Sequence, residues 1–291
     1  MTALAFTKGH GTENDFVLLF DPHGQVDLDP GLVRYLCDRR AGIGGDGVIR
    51  AVRAGGLEAG AGLAPATWFM DYWNADGTTS EMCGNGARVF GAFLEAEAGE
   101  ELGGGTEFAT RGGPRTVRSL GGGRYAIGMG AYRVGDATDG FDSEVAARGL
   151  EPVRPALSVD MGNPHHVVAL ADVGELAALD LTEAPEVRPV PPHGTNVEFA
   201  VALGYEERDG ETRGRVRMRV HERGSGETRS CGTGACAVAL AMRTWAGVGA
   251  PDVWDVEVPG GEVTVRIVGG TTVLEGPAVL VATGTVETPA G

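Results

Sequence analysis

Two short stretches decide how this chain folds: Cys83-Gly-Asn-Gly-Ala-Arg88 and Cys231-Gly-Thr-Gly-Ala-Cys236. Each sets a cysteine and two glycines before an apolar run, Ala87 to Ala96 in the first and Ala235 to Thr244 in the second. Apolar nearly all round, these runs predict helices buried on every side rather than laid on a surface. The stretches lie 148 residues apart, and other landmarks repeat with them. Gly11-Thr-Glu-Asn14-Asp-Phe-Val has a looser counterpart in Gly162-Asn163-Pro-His-His-Val-Val168; Asn14 precedes Cys83 by 69 residues and Asn163 precedes Cys231 by 68. Asn74 and Glu222 each stand nine residues before their cysteine. Landmarks that recur in one order at nearly one spacing predict an internal duplication, two similar halves.

Outside the helices, Phe16 to Phe20, Trp68 to Trp73, Val216 to Val220 and Glu262 to Val268 read as strands, several with period-two alternation. Glycine and proline punctuate the rest at 103–105, 121–123 and 189–194, and 55–65 reads as an elaborated surface hairpin. The class expected is α+β. At 291 residues, 42% of them apolar, the chain is long enough for one large domain or two smaller ones. Glycine, at 49 residues, is more than twice as frequent as usual but shows no collagen-like period.

Composition also excludes function classes. A formal charge of −16 leaves no basic surface for nucleic acid or an anionic membrane, so neither is expected as a partner. The longest apolar run, Ala235 to Met242, is far short of the roughly 20 residues of a membrane span, and Met1 to His10 lacks the pattern of a secretory leader. The four cysteines, Cys37, Cys83, Cys231 and Cys236, form no CxxC pair; there is no HExxH, and His165 and His166 are adjacent rather than spaced as ligands, so no metal site is expected. Free thiols in a cytoplasmic setting are the expectation. Lys8, the sole lysine, reads as a bias of composition rather than chemistry. It is a poor candidate for a Schiff base, no dinucleotide fingerprint follows a strand, and Gly42-Ile-Gly-Gly-Asp-Gly47 lacks the Lys-Ser/Thr ending of a phosphate loop and reads as a turn; no cofactor is expected.

The repeated loops carry the chemistry. A cysteine at a helix N-terminus feels the positive end of the helix dipole, which lowers a thiol pKa from about 8.5 toward neutrality. The same uncovered backbone N–H groups bind carboxylates. Two such loops suit inversion at a carbon beside a carboxylate: one sulfur takes a proton from one face, the other returns one to the opposite face. Thiol and thiolate exchange identities at each turn. Cys37 and Cys236 read instead as small buried apolar residues.

The segments Gly11 to Phe16, Arg40 to Asp46, Asn74 to Gly77, Cys83 to Arg88, Gly162 to His165, Asn196, and Glu222 to Thr228 through Cys231 to Ala235 resemble the diaminopimelate epimerase family. The resemblance implies a cofactor-independent isomerase that interconverts LL- and meso-diaminopimelate, on the route to lysine and peptidoglycan, and a homodimer. It implies two pseudo-symmetric domains, each a curved mixed β-sheet, barrel-like, wrapped about a central buried helix. One half spans residues 1–128 with a C-terminal return at about 277–291, and the other spans 129–276. By position, Cys83 and Cys231 match the family's two bases. Asn14, Gly84, Asn85, Gly232 and Thr233 match the residues around the reacting ammonium and carboxylate, while Asn74, Asn163, Asn196 and Arg223 match those around the distal centre. His165 and Glu222 match polar groups beside the thiols, Glu222 also touching substrate. Gly47 departs from the family, many of whose members carry Gln there, and His166 is assigned no role.

Two alternatives stand beside this. One is a proline or hydroxyproline racemase-like member of the same superfamily, for which Arg223 with three asparagines would be superfluous. The other is a non-catalytic small-ligand or redox-sensing protein on the same scaffold.

Overall fold

The computed structural model describes residues 3–136, 140–208 and 210–288. The chain divides into two compact units, Met1–Ile127 with Gly276–Gly291, and Gly128–Glu275.

The first unit contains β1 (Ala3–Gly11), β2 (Asn14–Phe20), α1 (Pro30–Cys37), β3 (Gly47–Arg53), β4 (Trp68–Asn74), α2 (Gly84–Phe93), β5 (Thr106–Phe108), β6 (Arg115–Gly121) and the first half of β7 (Arg124–Ala131). The second contains β8 (Arg133–Val134), β9 (Ser143–Ala147), β10 (Leu150–Asp160), β11 (Pro164–Ala169), α3 (Val173–Ala178), β12 (Glu186–Arg188), β13 (Asn196–Arg208), β14 (Glu211–Glu222), β15 (Gly226–Thr228), α4 (Gly232–Ala246), β16 (Val253–Val258), β17 (Gly261–Val268) and β18 (Thr271–Pro277). The chain then returns to the first unit as β19 (Val279–Glu287), which pairs antiparallel with β1. The class is α+β.

The duplication is visible in the strand order. In the first unit the sheet runs β19-β1-β2-β3-β4, with β2 and β3 parallel and the other neighbours antiparallel. In the second, β10-β11-β13-β14 repeats the same succession, β11 and β13 parallel between antiparallel pairs. Each succession then delivers its buried helix, α2 after β4 and α4 after β14. A parallel pair needs a crossover, supplied by α1 in one unit and by α3 with β12 in the other.

Burial explains the composition of the helices. Every residue of α2 is buried, and so are Gly232 and Gly234 to Met242 of α4. Small residues let β-strands approach these helices closely, while Phe90, its ring centroid 5.2 Å from that of Phe108 in a tilted pair, fills the larger gap. α1, capped by Asp29 and opened by Pro30, lays Val33, Leu36 and Cys37 on Val17, Leu19 and Val48. Cys37 is thus a core residue. Residues 54–67 connect the β3–β4 hairpin through two single 3₁₀ turns, Ala54–Gly56 and Glu58–Gly60, rather than through extended strands. No helix among the described residues is long and apolar enough to cross a membrane.

Candidate active site

In each unit the landmark residues gather at one rim of the sheet, where β2 and β3, or β11 and β13, begin and where β4, or β14, ends. Cys83 and Cys231 are the N-caps of α2 and α4, each with extended backbone and a sulfur that accepts a backbone N–H three residues on: Gly86 at 3.4 Å and Gly234 at 3.3 Å. A cysteine thus fills the place usually taken by Ser, Thr or Asp, and its sulfur receives the positive end of the helix.

The first half-site is built on the two-residue β1–β2 turn. Thr12 and Glu13 both take left-handed backbone (φ 51° and 62°), a conformation costly for residues with a side chain and one that recurs at functional sites. The turn delivers Asn14, whose Oδ1 lies 3.6 Å from Cys83 Sγ and accepts from Asn85 Nδ2 at 3.2 Å. Asn85 is held in turn by the buried Arg88, which donates to its Oδ1 (3.0 Å), to Thr12 Oγ1 (3.1 Å) and to the carbonyl of Pro277 (3.2 Å). On its other side Asn14 Nδ2 donates to Asp46 at 2.7 Å. Arg39 bridges Asp46 and Asp15, and Lys8 pairs with Asp15 at 2.6 Å while reaching the carbonyl of Gly44. Burial works against the charge on Asp15, but the hydrogen bonds of Arg39 and Lys8 outweigh it and hold the carboxyl at about 2. The sole lysine is therefore structural chemistry, not compositional accident. Asn74 closes the rim, donating to Thr78 Oγ1 at 3.0 Å.

Gly47 accepts no side chain. A Cβ there would lie 2.7 Å from the Tyr72 ring and against the carbonyl oxygen of Trp73. The place that a side chain at position 47 would need is taken by β4.

The second half-site is more polar. His165, wholly buried on β11, lies with Nδ1 2.7 Å from Glu198 Oε1, and its Nε2–H donates to Asn163 Oδ1 at 3.1 Å. Asn163 Nδ2 reaches Thr233 Oγ1 at 3.4 Å, and that hydroxyl lies 3.5 Å from Cys231 Sγ. Glu222, at the end of β14, accepts from Thr228; burial raises its pKa, against hydrogen bonds from Thr228 and Cys231. Asn196 binds the carbonyl of Pro164 at 3.0 Å and receives the backbone N–H of Arg223 at 2.9 Å. The exposed Arg223 guanidinium donates to the His193 carbonyl at 2.9 Å and pairs with no carboxylate among the described residues. His166, whose pKa burial lowers, faces Thr195 at 2.9 Å and stands apart from the chain of bonds that reaches Cys231.

One expectation is overturned. Cys231 is not a low-pKa thiol: burial first, then the carboxylates of Glu222 and Glu198, push it well above its ordinary value, against Thr233 and the N–H of Gly234. The helix end is present, but desolvation and two acidic neighbours outweigh it. Cys37 is likewise pushed up by burial, to about 12. Sequence reasoning missed Glu198, Asp46, Asp15 and Arg39; the register of the parallel pairs β11–β13 and β2–β3 brings the first three to the rim, and the turn after α1 brings Arg39.

Fold and site together describe a pair of cysteine-capped helices set in duplicated sheets. The same fold is found in a PhzF-family phenazine biosynthesis protein from Bacillus anthracis (TM-score 0.65, 13% identity, 99% of this chain and 100% of that one). It is found too in a hydroxyproline epimerase from Agrobacterium vitis (TM-score 0.58, 15% identity, 98% and 91%). Sequence narrows the class. The chain is 46% identical over 292 residues to a diaminopimelate epimerase of Streptomyces coelicolor, spanning 97% of this chain and 95% of that protein. It is 45% identical to one of Rhodococcus jostii over 97% and 96%. The diaminopimelate epimerase family profile matches residues 6–134 and 157–281. The chain belongs to the diaminopimelate epimerase family, a family of isomerases.

Proposed function

We propose that the chain interconverts LL- and meso-diaminopimelate by proton transfer at one α-carbon, with Cys83 and Cys231 as the two proton carriers and no cofactor, in the supply of lysine and peptidoglycan precursors. The observation that carries this reading is the matched pair of cysteine N-caps, each sulfur within 3.4 Å of a helix-end N–H, in a chain of this family.

The reaction needs the two sulfurs on opposite faces of the carbon. In one direction Cys83, as thiolate, takes the α-proton; the electron pair spreads into the substrate carboxylate, and Cys231, as thiol, returns a proton to the other face. Cys83 ends as thiol and Cys231 as thiolate, the state that serves the reverse direction. The raised pKa of Cys231 fits a resting acid. The N–H groups of Gly84, Asn85, Gly232 and Thr233 are suited to the charge that grows on the carboxylate, a preorganised field that requires no reorganisation during the step. Asn14, pinned by Asp46, offers Oδ1 to an ammonium group. Glu222 and His165 tune the Cys231 thiol. Arg223, free of any carboxylate partner among the described residues, suits bidentate capture of the distal carboxylate, with Asn74, Asn163 and Asn196 around the distal ammonium.

The test is turnover of LL-diaminopimelate by purified, reduced protein without added cofactor, in deuterated water. Deuterium enters the α-position with the native protein. Cys83→Ala and Cys231→Ala each lower epimerisation by about 10³-fold or more, in the range of a lost acid or base, whereas Cys37→Ala and Cys236→Ala remain active. Substantial turnover by either of the first two variants ends the two-base reading.

A further inference from the structure

The duplicated halves differ at one place directly beneath the catalytic loops. The second glycine of each loop, Gly86 or Gly234, marks the same point one turn into its helix. A Cβ on Gly86 would meet Ile49 Cδ1 at 2.9 Å and Met70 Cε at 3.0 Å, an apolar floor. A Cβ on Gly234 would meet Glu198 Oε1 at 2.7 Å and Cys231 Sγ at 3.3 Å. Where one half has Ile49 on β3, the other therefore has Glu198 on β13. Glu198 is wholly buried, its Oε1 is 2.7 Å from His165 Nδ1, and its Oε2 finds no hydrogen-bond partner among the described residues. Burying a carboxylate with one oxygen unmet is expensive, and an apolar side chain fills the matching place in the other half at no such cost.

We propose that Glu198 is a positioning residue of the Cys231 half-site: it fixes the His165 ring and stands a carboxylate beneath the α4 N-terminus, so that the two cysteines differ in protonation at rest. The inference rests on the epimerase reading only for its kinetic consequence. His165 Nε2–H is directed at Asn163 Oδ1, which leaves Asn163 Nδ2 for Thr233 and so places the Thr233 hydroxyl beside the sulfur. Among the described residues, the titratable groups facing Cys231 are Glu222 from β14, Glu198 from β13 and, through Asn163, His165 from β11, while α4 itself offers the Gly234 N–H and the Thr233 hydroxyl. A carboxylate so close to the sulfur disfavours thiolate, whereas the three atoms nearest the matching Gly86 point are those of Ile49, Met70 and the Cys83 Cβ.

The experiment is alkylation by iodoacetamide across pH, with peptide mass mapping to follow Cys83 and Cys231 separately, in ligand-free reduced protein. In Glu198→Gln the side-chain amide can still hydrogen-bond His165 Nδ1 while the charge is gone. The Cys231 alkylation midpoint is then expected to fall by a pH unit or more, about tenfold faster reaction at a fixed pH below it, with the Cys83 midpoint unmoved. Glu198→Asp keeps the charge but withdraws it from His165; its Cys231 midpoint stays near the native value while kcat for LL-diaminopimelate falls. A Cys231 midpoint unmoved or raised in Glu198→Gln, or a Cys83 midpoint that moves equally, overturns the proposal. Should Glu198→Gln not fold, unchanged kcat in Glu198→Asp overturns it. Alkylation is read without substrate, so a native protein that shows the expected pattern yet never epimerises refutes the epimerase reading alone.

Discussion

Gly234→Ala and Gly86→Ala are the same substitution at matching points, and the structure assigns them different costs. Both sites are helical, so alanine gains about 1 kcal/mol in propensity at each. At Gly86 the added methyl presses on Ile49 Cδ1 and Met70 Cε, the flexible ends of long side chains, and overpacking of this kind costs about 1–3 kcal/mol. Gly86→Ala should therefore lie within about 2 kcal/mol of the native protein. At Gly234 the methyl meets a carboxylate oxygen that is wholly buried and tied to His165. Glu198 can make room only by giving up that bond, which would leave a buried carboxylate with neither oxygen met, at a cost of about 3–5 kcal/mol. Net of propensity, Gly234→Ala should lose about 2–4 kcal/mol, and its Tm should fall below that of Gly86→Ala by roughly 4–8 °C for units of this size. Calorimetry of the two variants side by side measures the difference. A Gly234→Ala protein that melts with or above Gly86→Ala would refute the account of the α4 floor.

Arg223→Met should lower kcat/KM for diaminopimelate by about 30- to 5,000-fold, the price of a carboxylate left without its charged partner at about 2–5 kcal/mol, and unchanged kinetics would favour a proline-type substrate. Because burial pushes the Cys37 thiol up to about 12, the native state favours the protonated form; that stabilisation is complete below pH 9 and drains away as pH rises from 9 toward 12, a slope that denaturant titrations should find missing in Cys37→Ala. Asp15 has the opposite sign: held at about 2 by Arg39 and Lys8, its contribution is complete above pH 4 and is lost as pH falls from 4 to 2. Discounted for the half-exposed Arg39, it should amount to about 1 kcal/mol, absent in Asp15→Asn.

The cysteine loops were legible in the sequence because their signal is local: a small-residue cap followed by an apolar run specifies a buried helix without knowledge of anything distant. The strands around them were legible by alternation. What escaped was fixed by pairing across long connections. Glu198 carries no signal of its own in the sequence, and only the β11–β13 register, with His165 opposite Asn196, sets it beside a histidine. Asp46 reads as a turn residue until Asn14 and Arg39 arrive at it from other parts of the chain. That position 47 is glycine was legible, but not that β4 leaves no room there for a side chain. The dipole argument for a low thiol pKa held as physics yet failed at Cys231, because helix ends are visible in sequence and desolvation is not.

The strand β19 has a consequence for biosynthesis. The unit that carries Cys83 is assembled from the two ends of the chain, whereas the unit that carries Cys231 is one uninterrupted stretch, Gly128–Glu275. A ribosome builds from the N-terminus, and domains commonly fold in that order. Here the order inverts. The later-coded unit has all its strands in hand while the earlier one still waits for its edge, so β1, paired with β2 on one side, keeps its other side open until β19 is made. Translation that stops short of β19 would leave the Cys231 unit whole and the Cys83 unit open along β1, exposing a sheet edge to whatever neighbouring chain could fill it.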